Sequence, residues 1–239
     1  DSQEKVLPVI INVHGGGLII GNKEFNRYFC ALLCKKGFLV YSIEYRLIPD
    51  CLIYDQLADV FMAMDYIKER LAADGGDSSH VYMAGDSGGA CLITYANAIQ
   101  NSTNIARAAN VTPSGLRINA LGLISGMFYT SRFDKIGLFL PKYLYGRDYK
   151  KTSFAKYVNP ENRELLNSLA PVWLVTSHND FLRRYTTDFE KALTRAEREH
   201  ELVVFPKNKK LTHAFSVFEP FLSESSAVID MMVEYLRKF

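Results

Sequence analysis

The chain predicts a doubly wound α/β fold, and three observations lead there. Short apolar runs of strand type recur near 6–13, 38–44, 80–86, 118–124, 172–177 and 201–205. Amphipathic helical spacing occupies 24–36, 56–73, 88–100, 185–199 and 223–238. Their alternation implies a mostly parallel sheet with right-handed crossovers, helices on both faces and a ligand site at the carboxyl ends of the strands.

Each element follows from its residues. Val6-Leu7-Pro8-Val9-Ile10-Ile11-Asn12-Val13 is a near-continuous apolar run, the mark of a parallel strand buried on both faces, and it ends directly at His14. Helix 24–36 carries Cys30 and Cys34 on one face, and strand 38–44 leads into Tyr45-Arg46-Leu47-Ile48-Pro49-Asp50. Strand 80–86 runs straight into helix 88–100, where Leu92, Ile93, Tyr95, Ala96 and Ile99 repeat at three and four. Residues 101–115, rich in Ser, Thr, Asn and Pro, read as a surface loop. After strand 118–124 comes 126–170, aromatic-rich and read as a cap-like insertion. Strand 172–177 precedes helix 185–199, which sets Tyr185, Phe189, Ala192, Leu193 and Ala196 on one face. Strand 201–205, a loop and helix 223–238 complete one domain over 1–239 with no internal repeat.

Two glycine-rich motifs carry the chemistry. His14-Gly15-Gly16-Gly17 follows the first strand, and Gly85-Asp86-Ser87-Gly88-Gly89 joins strand 80–86 to its helix. Small residues two before and two after Ser87 let the backbone turn sharply, so the hydroxyl projects at a helix N-terminus, as in a nucleophile elbow. Three glycines let N–H groups turn inward without side-chain clash, which suits the oxyanion formed when a hydroxyl attacks an ester carbonyl. A phosphate loop would require a Lys-Ser/Thr ending, and Leu18-Ile19-Ile20 supplies neither.

A serine hydroxyl needs a base to take its proton. Of five histidines, His14 opens the glycine loop and braces it, His80 begins the strand to the elbow, and His200 lies between a charged helix end and the next strand. His213 lies in the loop after Glu201-Leu202-Val203-Val204-Phe205 and is the candidate base. The orienting acid should follow an earlier strand, and Val172 to Ser177 runs into His178-Asn179-Asp180. Asp180 would hold the imidazole tautomer and stabilise the imidazolium. Asp188 is the weaker candidate because it sits inside the following helix.

These motifs resemble the hormone-sensitive-lipase family of α/β-hydrolases, bacterial carboxylesterases with an HGGG loop and a GDSxGG-type elbow. Tyr45-Arg46-Leu47-Ile48-Pro49-Asp50 resembles the family's Tyr-Arg-Leu-Ala-Pro-Glu, and Asp180-Phe181-Leu182-Arg183 its Asp-Pro-Leu-Arg, so four motifs in family order span 6–215. The resemblance implies an α/β-hydrolase fold with a small helical cap, and hydrolysis of short-chain, acetyl-type carboxylic esters through an acyl-enzyme. It assigns Ser87, Asp180 and His213 as catalytic residues, and the N–H groups of Gly16, Gly17 and Gly88 as the oxyanion hole. It differs at Gly88-Gly89-Ala90, where Ala-Gly-Gly is usual, and at Cys51-Leu52-Ile53-Tyr54. Only thirteen residues precede His14, so the fold is expected to be truncated on its N-terminal side, whether by cleavage or as a minimal member with an open site.

The 239 residues are 48% hydrophobic and 23% charged, ample for one core. A net charge of +2 with interspersed signs gives no nucleic-acid footprint, and Lys207, Lys209 and Lys210 read as a solvated loop. Cys30, Cys34, Cys51 and Cys91 form no metal pattern and read as reduced, buried thiols of a cytoplasmic protein. No signal peptide or apolar span points to export or to stable membrane association. The expected partner is a small-molecule ester, with no metal or organic cofactor. The aromatics of 126–170 are read as walls of an acyl pocket, as cap packing, or as a subunit contact in a homodimer. Two rival readings are a ligand-binding module without hydrolysis, against which His213 speaks, and a peptidase or acyltransferase on the same triad.

Overall fold

The computed structural model describes residues 6–239. Six strands form one all-parallel sheet in the order β2-β1-β3-β4-β5-β6. They are β1 (Leu7–Val13), β2 (Leu39–Ile43), β3 (Gly76–Asp86), β4 (Ala120–Ile124), β5 (Val172–Ser177) and β6 (His200–Phe205). Strand order reverses between β1 and β3, which pair Val13 with Gly85. This is the switch point where a parallel open sheet leaves a crevice. Both glycine motifs begin at these two carboxyl ends.

The two-residue period of the strands sorts the core into two layers. Val9, Ile11 and Val13, with Val81, Met83, Leu121, Leu123, Val172 and Leu174, face α2 (Ile53–Arg70), α3 (Ser87–Asn101) and α8 (Arg183–Arg195). Ile10, Tyr82, Ala84, Ala120, Ile124, Trp173 and Val175 face α1 (Arg27–Lys35) and α10 (Ser223–Leu236). Every residue of β4 and β5 is buried, which explains why their sequences are apolar throughout rather than alternating. No helix among the described residues is long and apolar enough to cross a membrane.

Three sequence expectations need correction. The expected loop 101–115 contains α4 (Thr103–Ala109): Ser102 Oγ accepts from Ile105 N at 3.3 Å, Ile105, Ala106 and Ala109 are buried, and Asn110 ends the helix at φ 54°. Strand β3 starts at Gly76, not at 80, because Gly76 pairs with Leu7 before the register shifts at Val9. Its polar start, Asp77-Ser78-Ser79, disguised it. Cys34 is exposed, whereas the other three cysteines are buried. At 100° per residue it lies about 40° beyond Cys30, just past the edge of the buried face of α1 formed by Phe29, Leu33 and Cys30.

Segment 126–170 holds α5 (Lys135–Phe139), α6 (Pro141–Tyr145), two 3₁₀ turns at Tyr149–Lys151 and Ser153–Tyr157, and α7 (Arg163–Asn167). Its aromatics divide. Phe128, Tyr129, Tyr145, Phe154 and Tyr157 are core residues, while Phe133, Phe139 and Tyr143 are exposed. Tyr149 is half-buried, and of these nine aromatics Phe139 and Tyr143 line the cavity described next. Beyond β6, the loop through His213 ends at the short α9 (Phe215–Phe218).

Candidate active site

Ser87 sits on the turn from β3 to α3 with φ 51°, a left-handed conformation costly for a residue with a Cβ. The turn is tight because β1 crowds it. A Cβ on Gly85 would lie 2.6 Å from Val13 O, and one on Gly89 would overlap Val13 O and lie 2.5 Å from His14 O. Met127 N, beyond β4, donates to Ser87 O at 3.0 Å and fixes the elbow from the other side.

The glycine loop folds against this elbow. Gly16 (φ 92°) and Gly17 (φ 63°) are left-handed, and the carbonyl of Gly16 accepts from Ile19 N and Ile20 N, both at 3.1 Å. Among the described residues the N–H groups of Gly16, Gly17 and Gly88 donate to no protein acceptor. A Cβ on Gly88 would lie 2.9–3.1 Å from Leu18 N and from Gly17 Cα and N, so glycine at 88 permits this close approach of the two motifs.

The expected brace is present and larger than one histidine. His14 stacks on Tyr45, centroids 4.3 Å apart, and the Tyr45 hydroxyl donates to His14 O at 2.8 Å. Gln56 Nε2 donates to Leu18 O and Arg46 O at 3.1 and 2.8 Å, and the Arg46 guanidinium pairs with Asp59. This accounts physically for the Tyr45-Arg46 motif: it anchors the glycine loop.

Asp86 completes the support. Its Oδ1 accepts from Gly15 N at 3.0 Å and from Asn26 Nδ2 at 2.9 Å, and Asn26 also donates to Asn12. Burial pushes the Asp86 carboxyl above its ordinary value, although Asn26, the charge of His213 and Gly15 N pull it down. A raised folded value means that the stability this group contributes is present below the unfolded value and is lost as pH rises through the folded one. In thermal unfolding, the melting temperature of Asp86→Asn relative to the parent should therefore shift in favour of the variant from about pH 4 to about pH 7. An unchanged difference would mean Asp86 does not titrate in that window.

His213 and Asp180 are brought together across 33 residues of sequence: His213 Nδ1 lies 2.7 Å from Asp180 Oδ1. The carboxylate also accepts from Leu182 N and from Thr176 Oγ1, both at 2.8 Å. Burial by itself would raise the Asp180 carboxyl, but the hydrogen bond and charge of His213, with the Ser125 hydroxyl and Leu182 N, outweigh it and hold the carboxyl below its ordinary value. Ser125 Oγ also accepts from Ala214 N at 3.1 Å, fixing the residue after His213. The sequence reading missed Ser125 and Thr176. Their place at strand carboxyl ends was the signal that pointed to them.

Ser87 and His213 line the same cavity of about 560 Å³, and no hydrogen bond joins their side chains. Catalytic hydrogen bonds are often long before substrate binds. Gly16 and Gly17 form one wall; Ile136, Phe139, Leu140, Tyr143, Leu182 and Phe218 form much of the rest. Of the other histidines, His14 is buried under the loop, His80 and His200 pair with Asp77 and Glu190, and His178 meets Arg183. Asp188 pairs with Arg132, away from His213. Among the described residues no three His, Cys, Asp or Glu side chains gather as metal ligands.

A parallel doubly wound sheet with a Gly-x-Ser-x-Gly elbow at its switch point defines the α/β-hydrolase class of fold. The alpha/beta hydrolase fold profile matches residues 10–216, and the chain belongs to that family, in the hormone-sensitive-lipase-like group its motifs resemble. Among solved structures, esterase B from Lactobacillus rhamnosis is 22% identical, with a TM-score of 0.91 over 100% of this chain and 78% of that one. A bacterial heroin esterase is 24% identical, with a TM-score of 0.73 over 100% and 76%. A probable isoprenylcysteine alpha-carbonyl methylesterase from Oryza sativa subsp. japonica is 28% identical over 174 residues, 68% of this chain and 42% of that protein. The tuliposide A-converting enzyme b1 from Tulipa gesneriana is 30% identical over 124 residues, 47% of this chain and 33% of that protein. The chain thus spans less than half the length of these curated relatives.

Proposed function

We propose that the protein is a serine carboxylesterase acting on short-chain esters through an acyl-enzyme. The observation that carries this reading is the 2.7 Å pair of the buried Asp180 with the half-buried His213, which opens on the same apolar cavity as a serine held at φ 51°. Ser87 Oγ attacks the ester carbonyl carbon while His213 Nε2 takes its proton. The carbonyl oxygen becomes an oxyanion and accepts from the otherwise unpartnered N–H groups of Gly16, Gly17 and Gly88. Collapse breaks the bond to the alcohol oxygen, which leaves with the proton from His213. Water, deprotonated by the same imidazole, then attacks the acyl-enzyme and releases the acid. Asp180 stays ionised throughout and stabilises the imidazolium.

The family likeness supports the class of reaction, and the names of the rice and bacterial relatives denote ester cleavage. Short acyl groups suit a cavity of about 560 Å³ that must also admit part of the alcohol. The test is a fluorophosphonate probe followed by peptide mass spectrometry, beside turnover of p-nitrophenyl acetate, butyrate and octanoate. The expected result is an adduct on Ser87, with acetate or butyrate preferred. An adduct elsewhere overturns the nucleophile, and labelling without ester turnover favours the peptidase or acyltransferase reading.

A further inference from the structure

Phe181 stands in the turn between Asp180 and α8, a large apolar side chain left 73% exposed while Leu182 beside it is 3% exposed. Its ring is nevertheless in contact. It lies against the His213 imidazole, with ring centroids 4.4 Å apart and planes inclined at 43°. Both residues line the cavity that holds Ser87.

The backbone fixes this contact. Asp180 Oδ1 accepts from Leu182 N at 2.8 Å and lies 2.7 Å from His213 Nδ1, so one carboxylate oxygen ties the residue after Phe181 to the imidazole. Arg183 N donates to Asp180 O at 3.1 Å, and Asp180 N to Ser177 O at 3.2 Å, which closes the turn on both sides. Phe181 therefore emerges between two anchored and buried neighbours. The His213 side chain is only 16% exposed although it opens on the cavity.

An imidazolium forms each time His213 takes a proton, from Ser87 in acylation and from water in deacylation. Asp180 meets that charge at the ring edge, through Nδ1, and Phe181 meets the ring itself. An aromatic face attracts a cation lying within about 6 Å of its centroid. The same ring keeps water from the imidazolium and so reduces the screening of its attraction to Asp180. A leucine at this position would cover the imidazole but carry no quadrupole.

We propose that Phe181 is a positioning residue for His213, holding the imidazole against an aromatic ring and stabilising the imidazolium of both half-reactions. The contact stands on geometry, and its effect on turnover rests on the esterase reading, so the two are measured separately. Carbethoxylation of His213 by diethylpyrocarbonate, read by peptide mass spectrometry relative to His80 in the same digest, reports the cover of the ring whatever the enzyme hydrolyses. Phe181→Ala should speed it by at least about twofold.

In turnover of p-nitrophenyl acetate, Phe181→Leu should lower kcat about fivefold, with KM within about twofold because one imidazole serves both half-reactions. Phe181→Tyr and Phe181→Trp should recover at least about half of the parent kcat, since each keeps an aromatic face. The ring is mostly exposed, so none of these variants should move the thermal midpoint by more than about 2 °C. Unchanged carbethoxylation in Phe181→Ala overturns the contact. Parent kcat with a raised KM in Phe181→Leu overturns the positioning role and makes Phe181 a wall for substrate, and equal losses in the Leu, Tyr and Trp variants overturn the part given to the aromatic face. Faster carbethoxylation in Phe181→Ala without ester turnover by the parent would keep the contact and remove the esterase reading.

Discussion

Ser87→Ala should lower kcat/KM for p-nitrophenyl acetate by at least about 10³-fold without loss of fold. The substitution removes one atom, Oγ, and leaves the Cβ that the elbow already accommodates at φ 51°. The N–H groups of Gly16, Gly17 and Gly88 and the apolar cavity remain, so residual hydrolysis above the background in water is expected. A companion variant separates chemistry from stability. Ser87→Gly loses the same Oγ but also the Cβ that makes a left-handed φ costly, so it should be equally inactive and more stable by about 1 kcal/mol in urea unfolding. Full turnover in Ser87→Ala would place the nucleophile elsewhere. An inactive Ser87→Gly no more stable than the parent would mean that neighbours, not backbone strain, set the cost at this position.

The strands were legible because burial on both faces leaves a signal no turn can imitate. β4 and β5 are buried end to end, and their sequences are apolar almost without interruption. The elbow was legible because only small residues fit where Gly85 and Gly89 press on Val13 and His14. α4 was hidden because seven residues give two turns, too few for a period to stand out from the Ser, Thr and Asn around it, although Ser102 at its N-cap and Asn110 at its end are the expected signals. The aromatics of 126–170 were ambiguous for a different reason. Phe139 and Phe154 are chemically alike, and only the path of the chain puts one at the cavity mouth and the other in the core. Asn26 was invisible for the same reason, since it reaches the Asp86 carboxylate, 60 residues away in sequence, only through the fold.

Asp180→Asn should cost roughly 10⁴-fold in kcat/KM while leaving the loop in place. Leu182 N and Thr176 Oγ1 hold the carboxylate from two sides, and Leu182 N must face an acceptor, so the amide oxygen takes the Oδ1 position toward His213. Geometry survives and the negative charge does not. The imidazolium formed when Ser87 is deprotonated then lies against a buried neutral amide, and the barrier rises. The same charge makes a stability prediction with a definite sign. The folded Asp180 carboxyl is held below its ordinary value, so its contribution is present above the unfolded value and lost as pH falls through the folded one. The parent should therefore be more stable than Asp180→Asn at about pH 7, with the gap closing toward about pH 3 in urea unfolding. A loss of turnover below about tenfold would move the orienting acid away from Asp180. An activity loss with a pH-independent stability gap would mean that Asp180 acts by position and not through its charge.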